Sequence, residues 1–410
     1  MNERLNVAFL GHVDHGKSTL IGRLLYDTGS VPPDRMELIQ HASEAQGLDT
    51  EFAFLMDHFR EEREHGMTID TAQVFFHAAE RDYVVIDAPG HREFLKNMLT
   101  GASQAQAAVL IVDVAQGLGE QTRRHAFLVN FLGIRHVVAV FNKMDLAGFA
   151  PERFEAVRGE AEAFLARLGI RPVACIPISA RYGDNVVSPS TRTPWYDGPT
   201  VIEALDGIQV AGDSALPMRF CVQGVYCFGG PRIVAGRLES GTLAAGDAVL
   251  ALPDGLATRV ETIERFLSER TDAEAGECIG VTLPAEATAR RGQVLCSPES
   301  PPGLATRLAA HIFWLSDAPL ERGATALVRI ATQEAPCRIA AIRSRMDSST
   351  LETIESDAAR LETTEVGEVE LEAATPLVAE LARDNPALGR LVLEDNGCVT
   401  GAGIISHVKA

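Results

Sequence analysis

What the chain lacks narrows it first. No stretch of its 410 residues approaches the roughly 18 consecutive apolar positions that a membrane-spanning helix needs, so such a helix is excluded. The N-terminus, MNERLNVAFLGH, carries charge where a secretory leader would place its apolar core. Cysteines number seven, at positions 175, 221, 227, 278, 296, 337 and 398, and none forms a CxxC pair. An odd, scattered set supports neither a disulfide framework nor a zinc site, and reduced thiols in a cytoplasmic protein are expected instead. Positive charge is scarce too: 37 basic side chains face 56 acidic ones, a formal net charge of −19. Such a surface repels a polyphosphate backbone unless a basic face is segregated somewhere. Residues 351–375 offer none, with eight acids against Arg360 alone.

What is present reads as a globular chain, 46% hydrophobic and 23% charged, too long for a single ordinary core. Over residues 1–207 apolar runs alternate with amphipathic segments. The runs LNVAFL (5–10), QVFFHA (73–78), YVVIDA (83–88), AAVLIVDV (107–114), HVVAVFN (136–142) and ACIPIS (174–179) predict strands. Between them REFLKNMLTGAS, EQTRRHAFLVNFLG and PERFEAVRGEAEAFLARLG carry helical patterns. Strands separated by helices imply an α/β domain, with a mostly parallel sheet and helices on both faces. Ligands of such sheets gather at the carboxyl ends of the strands.

From residue 208 the texture changes to short alternating runs punctuated by Gly, Pro and Asp-Gly, as in RIVAGRLESGTLAAGDAVLALPDG. A PPG at 301–303 marks a second break, followed by LAAHIFWL, TALVRIA and PCRIAAIR. The expectation is one α/β domain (1–207) and two β-barrels (208–302 and 303–410).

The chemistry concentrates at the strand ends of the first domain. GHVDHGKST, residues 11–19, follows the first strand and precedes a helix, and Gly11-x4-Gly16-Lys17-Ser18 has P-loop spacing. Gly11, His12, Val13, Asp14, His15, Gly16, Lys17, Ser18 and Thr19 are therefore expected to wrap a nucleotide's phosphates. Lys17 would bridge the β- and γ-phosphates, Ser18 would offer its hydroxyl to Mg²⁺, and the helix would add its positive end. Asp87-Ala-Pro-Gly90 ends YVVIDA. Its acid can reach the Mg²⁺ shell through water, and the Gly90 N–H can touch the γ-phosphate. A DxxG alone describes many turns and gains meaning only after a P-loop.

Asn142-Lys143-Met144-Asp145 ends HVVAVF. Asp145 can accept from the N1 and N2 donors of guanine, which adenine does not have. Asn142 can tie the base site to the P-loop, and Lys143 can lie along the ring. Ser179-Ala180, after ACIPI, would bring a backbone N–H to the guanine O6. In this order on these strand ends, the four motifs specify GTP, hence GTP/GDP and Mg²⁺ as cofactors. Thr68, in EEREHGMTID, can ligate Mg²⁺ while a γ-phosphate is present. His91, next to the DAPG turn, can orient a water toward that phosphate, although a lone histidine is more often structural.

Taken together, GHVDHGKST, EEREHGMTID, DAPGH, NKMD and SA resemble the translation-factor class of GTPases, whose members carry two β-barrels after the GTP-binding domain. The resemblance implies that His91 positions the attacking water and that Val13 and Met67 form an apolar gate before it. Members usually have isoleucine where this chain has Met67.

Within the class, RLLYDTGSVP, EFAFLMDHFREEREHGMTID, QTRRHAFLVNFLGIRHVVAVFNKMDL, GDNVVSPSTRTPWYDGPT, FWLSDAPLERG and NGCVTGAGII look like the large, GTPase subunit of bacterial sulfate adenylyltransferase. The GDN-to-PWYDGPT piece is also similar to elongation factor one-alpha. The sulfate-activating resemblance implies a separate, smaller catalytic subunit that makes adenylyl sulfate from ATP and sulfate. GTP hydrolysis here would drive that uphill reaction. That subunit is then the expected partner, and neither membrane nor nucleic acid is. Two features depart from that family: His15 stands where an acidic residue is usual, and few residues precede the first strand. With no second GxxxxGK[ST], no fused adenylyl-sulfate kinase is expected. The alternatives are an orphan regulatory GTPase of the same branch and an elongation factor carrying aminoacyl-tRNA. His15 and the loop as written favour the latter.

Overall fold

A computed structural model describes residues 4–12, 14–31, 73–78, 81–87, 105–209, 213–227, 229–265 and 270–409. Val13, Met67, Thr68, Gly90 and His91 lie outside these residues, as does the helical pattern at 92–103. The chain packs as two compact units, Met1–Val210 and Ala211–Ala410.

The first unit is built on six strands: β1 (Arg4–Gly11), β2 (Gln73–His77), β3 (Asp82–Asp87), β4 (Ala107–Asp113), β5 (His136–Asn142) and β6 (Ala174–Pro177), ordered β2-β3-β1-β4-β5-β6. All pair in parallel except β2, which runs antiparallel to β3. Four residues separate His77 from Asp82, too few for the crossover that a parallel pair requires. The inner strands are nearly continuous apolar runs because both faces are covered; all seven residues of β4 are buried.

Alternation then sends side chains to opposite sides. Leu5, Val7 and Phe9 of β1 pack with Val109, Ile111, Val138 and Val140 against helix α1 (Lys17–Asp27), through its Leu20, Ile21, Leu24 and Leu25. Helices α2 (Glu120–Phe131) and α3 (Pro151–Arg167) cover the other face, where Phe141 meets Phe154 edge-on at 5.3 Å. The unit closes with α4 (Val201–Asp206), begun by a capping box between Thr200 and Glu203. The chain beyond α4 is tied back to the sheet: the buried Arg81 guanidinium donates to the Ile208 carbonyl at 2.7 Å, and the Tyr83 hydroxyl donates to Asp206.

The second unit is all β. A seven-stranded antiparallel sheet formed by strands between residues 219 and 296 surrounds Phe220, Val222, Val234, Leu238, Val249 and Leu295. A second seven-stranded sheet spans 303–409 and closes into a barrel through the pairing of Thr325–Ile330 with Gln333–Asp347. The observed architecture is thus an α/β domain followed by β-barrels. The barrels share a core: Cys221, Leu252, Val294 and Cys296 of the first pack among the apolar residues of the second. Arg219, 1% exposed, reaches Glu380 with two hydrogen bonds of 3.1 and 2.7 Å, and Asn385 donates to Ser240 at 2.9 Å. All seven cysteines are free thiols. No described helix is long and apolar enough to cross a membrane.

Candidate functional site

The strand order reverses beside β1: the chain leaves β1 for β2 and β3 on one side, then adds β4, β5 and β6 on the other. In doubly wound sheets the crevice at such a point, beyond the carboxyl strand ends, is where ligands bind. The register aligns those ends. Phe9 is opposite Asp87, Gly11 opposite Ile111, and Asp113 opposite Asn142. The segments singled out in the sequence therefore leave the sheet on one edge.

Close packing dictates the two loop glycines. A Cβ on Gly11 would lie 2.8 Å from the Ile111 carbonyl oxygen, since β1 and β4 are in contact there. Gly16 has φ +87°, and a Cβ on it would sit 2.3 Å from the Asn142 amide nitrogen. Only glycine takes this conformation at so little cost and leaves room there for the Asn142 amide. Gly16 is also the N-cap of α1, and no side chain caps that helix end. Lys17 follows at 8% exposure, with Ser18 and Thr19 half-buried in the first turn.

Asn142 uses both ends of its carboxamide. Its Nδ2 donates to the His15 carbonyl at 2.8 Å, and its Oδ1 accepts from the Ala180 N–H at 2.9 Å. One side chain thereby staples the P-loop to the Ser179-Ala180 turn. Ser179 donates its hydroxyl to Asp145 Oδ1 at 2.7 Å, fixing the half-buried carboxylate. The turn itself is held from behind. Asn185 donates to the Pro177 carbonyl and the Thr193 hydroxyl, at 2.8 and 2.9 Å, and accepts from the Ser190 N–H.

Lys143 is left-handed, with φ 65°, and its ammonium lies 2.7 Å from Asp113 Oδ2. Burial alone would push the Asp113 carboxyl up, but Lys143, the Ala115 N–H and His15 outweigh it and hold it below the usual carboxylate range.

Three histidines crowd the same edge. The rings of His12 and His15 are 5.1 Å apart. His15 is 1% exposed; its Nδ1 lies 3.3 Å from both the Ile111 carbonyl and the Asp113 N–H, donating to the first or accepting from the second according to tautomer. Burial lowers its pKa. His125, on α2, is 2% exposed and its Nδ1 has no hydrogen-bond partner. Burial, followed by the positive charge of Lys17, pushes His125 down to about 3.

Comparison with known proteins shows which family builds this edge. The family described as "Elongation factor Tu GTP binding domain" matches residues 2–216, and "GTP-eEF1A C-terminal domain-like" matches 307–406. The chain is 39% identical to elongation factor 1-alpha of Archaeoglobus fulgidus over 98% of its own length and 97% of the relative's. The chain belongs to the translation-factor family of GTPases. It is also 39% identical to the bifunctional enzyme CysN/CysC of Mycobacterium tuberculosis, over 100% of this chain and 68% of the relative. A solved structure of Sup35 complexed with GDP aligns over 100% of this chain and 95% of its own, at 26% identity and a TM-score of 0.47.

The strand-end geometry of this GTPase fits the nucleotide its family binds. The α1 N-terminus, which no side chain caps, suits an anion. Asp87 closes β3 opposite Phe9 of β1, two residues before the loop begins. Among the described residues no cluster of three or more His, Cys, Asp or Glu exists that would hold a metal by protein ligands alone. A cation here would depend on hydroxyls and phosphate oxygens, which is how P-loop proteins hold Mg²⁺.

Three residues of this edge, Asp113, Asn185 and His125, are not singled out by the sequence motifs. Asp113 carried a signal, being an acid that ends a wholly apolar strand between the P-loop and NKMD in strand order. Asn185 did not, since an Asn after Gly-Asp reads as an ordinary turn.

Proposed function

We propose that this GTPase is the large subunit of a sulfate adenylyltransferase, acting in the cytoplasm. It would couple GTP hydrolysis to the formation of adenylyl sulfate from ATP and sulfate by a separate catalytic subunit. In this reading the chain works as a GTP-binding domain (1–207) and two barrels (208–302 and 303–410). The backbone from Gly11 to Thr19 wraps the phosphates, and Lys17 bridges the β- and γ-phosphates. Ser18 and Thr68 would offer oxygen ligands to Mg²⁺ and Asp87 would reach it through water, and the ion would supply charge to offset the phosphates. The Gly90 N–H meets the γ-phosphate, and His91 orients the attacking water behind the gate of Val13 and Met67.

Asp145 accepts from guanine N1 and N2. The Ser179 hydroxyl already on its Oδ1 supports this role, because it holds the carboxylate in one orientation. The Ala180 N–H donates to Asn142 Oδ1 at 2.9 Å and would have to serve the guanine O6 as a second acceptor.

Charge carries the choice of partner. The chain has 19 more acids than basic residues, and residues 352–357 of the last barrel are all exposed on an acidic strand and turn. A carrier of aminoacyl-tRNA gains its affinity from Lys and Arg paired with phosphates. The resemblance of FWLSDAPLERG and NGCVTGAGII in that barrel to the sulfate-activating family supports the first reading, although the same barrel falls within the match to the eEF1A C-terminal family.

Elongation factor 1-alpha at 39% identity, and the His15 that the P-loop shares with elongation factors, support tRNA carriage as the second reading. The test is sulfate-dependent adenylyl sulfate synthesis by the catalytic subunit mixed with this chain, with and without GTP. GTP raises the yield if the proposal holds. An unchanged yield, together with aminoacyl-tRNA binding by the GTP form at moderate salt, replaces it with the second reading. An unchanged yield without tRNA binding leaves a regulatory GTPase of the same branch.

A further inference from the structure

Strand β4 buries seven residues in succession and ends on a carboxylate, Asp113, that is 2% exposed. A buried acid is costly unless its lone pairs are satisfied, and here every contact runs toward the nucleotide edge. Its Oδ2 meets the Lys143 ammonium at 2.7 Å and the Gln116 side-chain amide at 3.4 Å. Its Oδ1 accepts the Ala115 N–H at 2.7 Å, and its carbonyl accepts the Gly117 N–H at 2.8 Å, which closes the turn after the strand. The Asp113 N–H faces His15 Nδ1 in the P-loop. Lys143, for its part, has a left-handed backbone that is unfavourable for a residue with a side chain. Its position is over-determined by neighbours: Asn142 is stapled on one side, and the Met144 N–H donates to the Ile178 carbonyl at 3.1 Å on the other.

We propose that Asp113 is a positioning residue of the guanine site: its carboxylate anchors the Lys143 ammonium, so that the lysine's four-carbon stem is held taut as one wall of the base site. A flexible ammonium would otherwise leave that wall unformed until the nucleotide arrived, and ordering it would cost affinity. The inference rests on the reading of this edge as a GTP site.

The test measures release of fluorescently labelled GDP and single-turnover hydrolysis of bound GTP in the full chain. Asp113→Asn keeps an acceptor for the Ala115 N–H and removes the charge. It is expected to speed GDP release about tenfold, as for loss of a partly buried charge pair, with a smaller effect on single-turnover hydrolysis. Lys143→Met is expected to speed release to a similar degree. The double variant should be no faster than either single one, because both act through the same contact. A merely structural Asp113 would lower the melting temperature and leave release and additivity untouched, and that result overturns the proposal. If Asp113→Asn does not fold, Asp113→Ser, which keeps an acceptor for the Ala115 N–H and has no charge, takes its place: unchanged release overturns the proposal and faster release upholds it. Wild-type chain that binds no labelled GDP overturns the GTP reading as well, so the two failures are distinct.

Discussion

The part of the site around Asn142 and Asp145 is organised by two short polar side chains whose atoms are nearly all committed to protein partners. Asn142 joins the P-loop to the Ser179-Ala180 turn, and Ser179 orients Asp145. Asp145→Asn should weaken GTP by roughly 100-fold and shift preference toward xanthosine triphosphate, since the amide no longer accepts both guanine donors. Competition binding with the two triphosphates checks this, and undiminished guanine preference would remove Asp145 from the base site. His125 yields a prediction about acidity. Its folded-state pKa of about 3 lies below the ordinary histidine value of about 6.5, so between these values the unfolded chain binds the extra proton. The contribution is fully present above the unfolded value and is lost as pH falls through that window, the loss reaching about 2 kcal/mol at pH 5. Urea unfolding at pH 7 and pH 5 should show a loss of that order, and His125→Leu should shrink it. The sequence pattern made the placement of Asn142, Asp145 and the two loop glycines on one edge legible, because that placement follows from spacing at strand ends. It was silent on His125, whose burial depends on how α2 lies over β1 and β4.

At the scale of elements, periodicity exposed every described strand of the sheet to within two residues, the parallel ones because buried strands are apolar throughout and β2 because its side chains alternate between buried and exposed. The antiparallel β2 was equally available in hindsight from the short stretch before β3. What the pattern does not carry is the join between barrels, since Arg219 and Glu380 are 161 residues apart in sequence and look like ordinary surface charges. The paired guanidinium is almost wholly buried, so removing its partner strands a charge inside the unit. Glu380→Gln should cost about 3 kcal/mol of stability, near the low end for broken buried pairs because Glu380 retains some exposure. Chemical denaturation of the full chain measures it. A change below about 0.5 kcal/mol would mean that the apolar core shared by the barrels, with Cys221, Leu252, Val294 and Cys296, holds the join unaided.

At the scale of the whole molecule, equal identity to elongation factor 1-alpha and to CysN/CysC leaves surface chemistry as the discriminator. The net charge of −19 and the exposed acids at 352, 355 and 357 oppose a nucleic-acid cargo and suit a protein partner. An energy-coupling subunit must also spend its GTP only when the coupled product forms. The most direct measurement therefore follows GTP consumption and adenylyl sulfate formation together, in one mixture of this chain, the catalytic subunit, ATP and sulfate. The account predicts that the two rise in proportion and that a non-hydrolysable GTP analogue does not replace GTP. Adenylyl sulfate formed at the same yield whether or not GTP is consumed would contradict it.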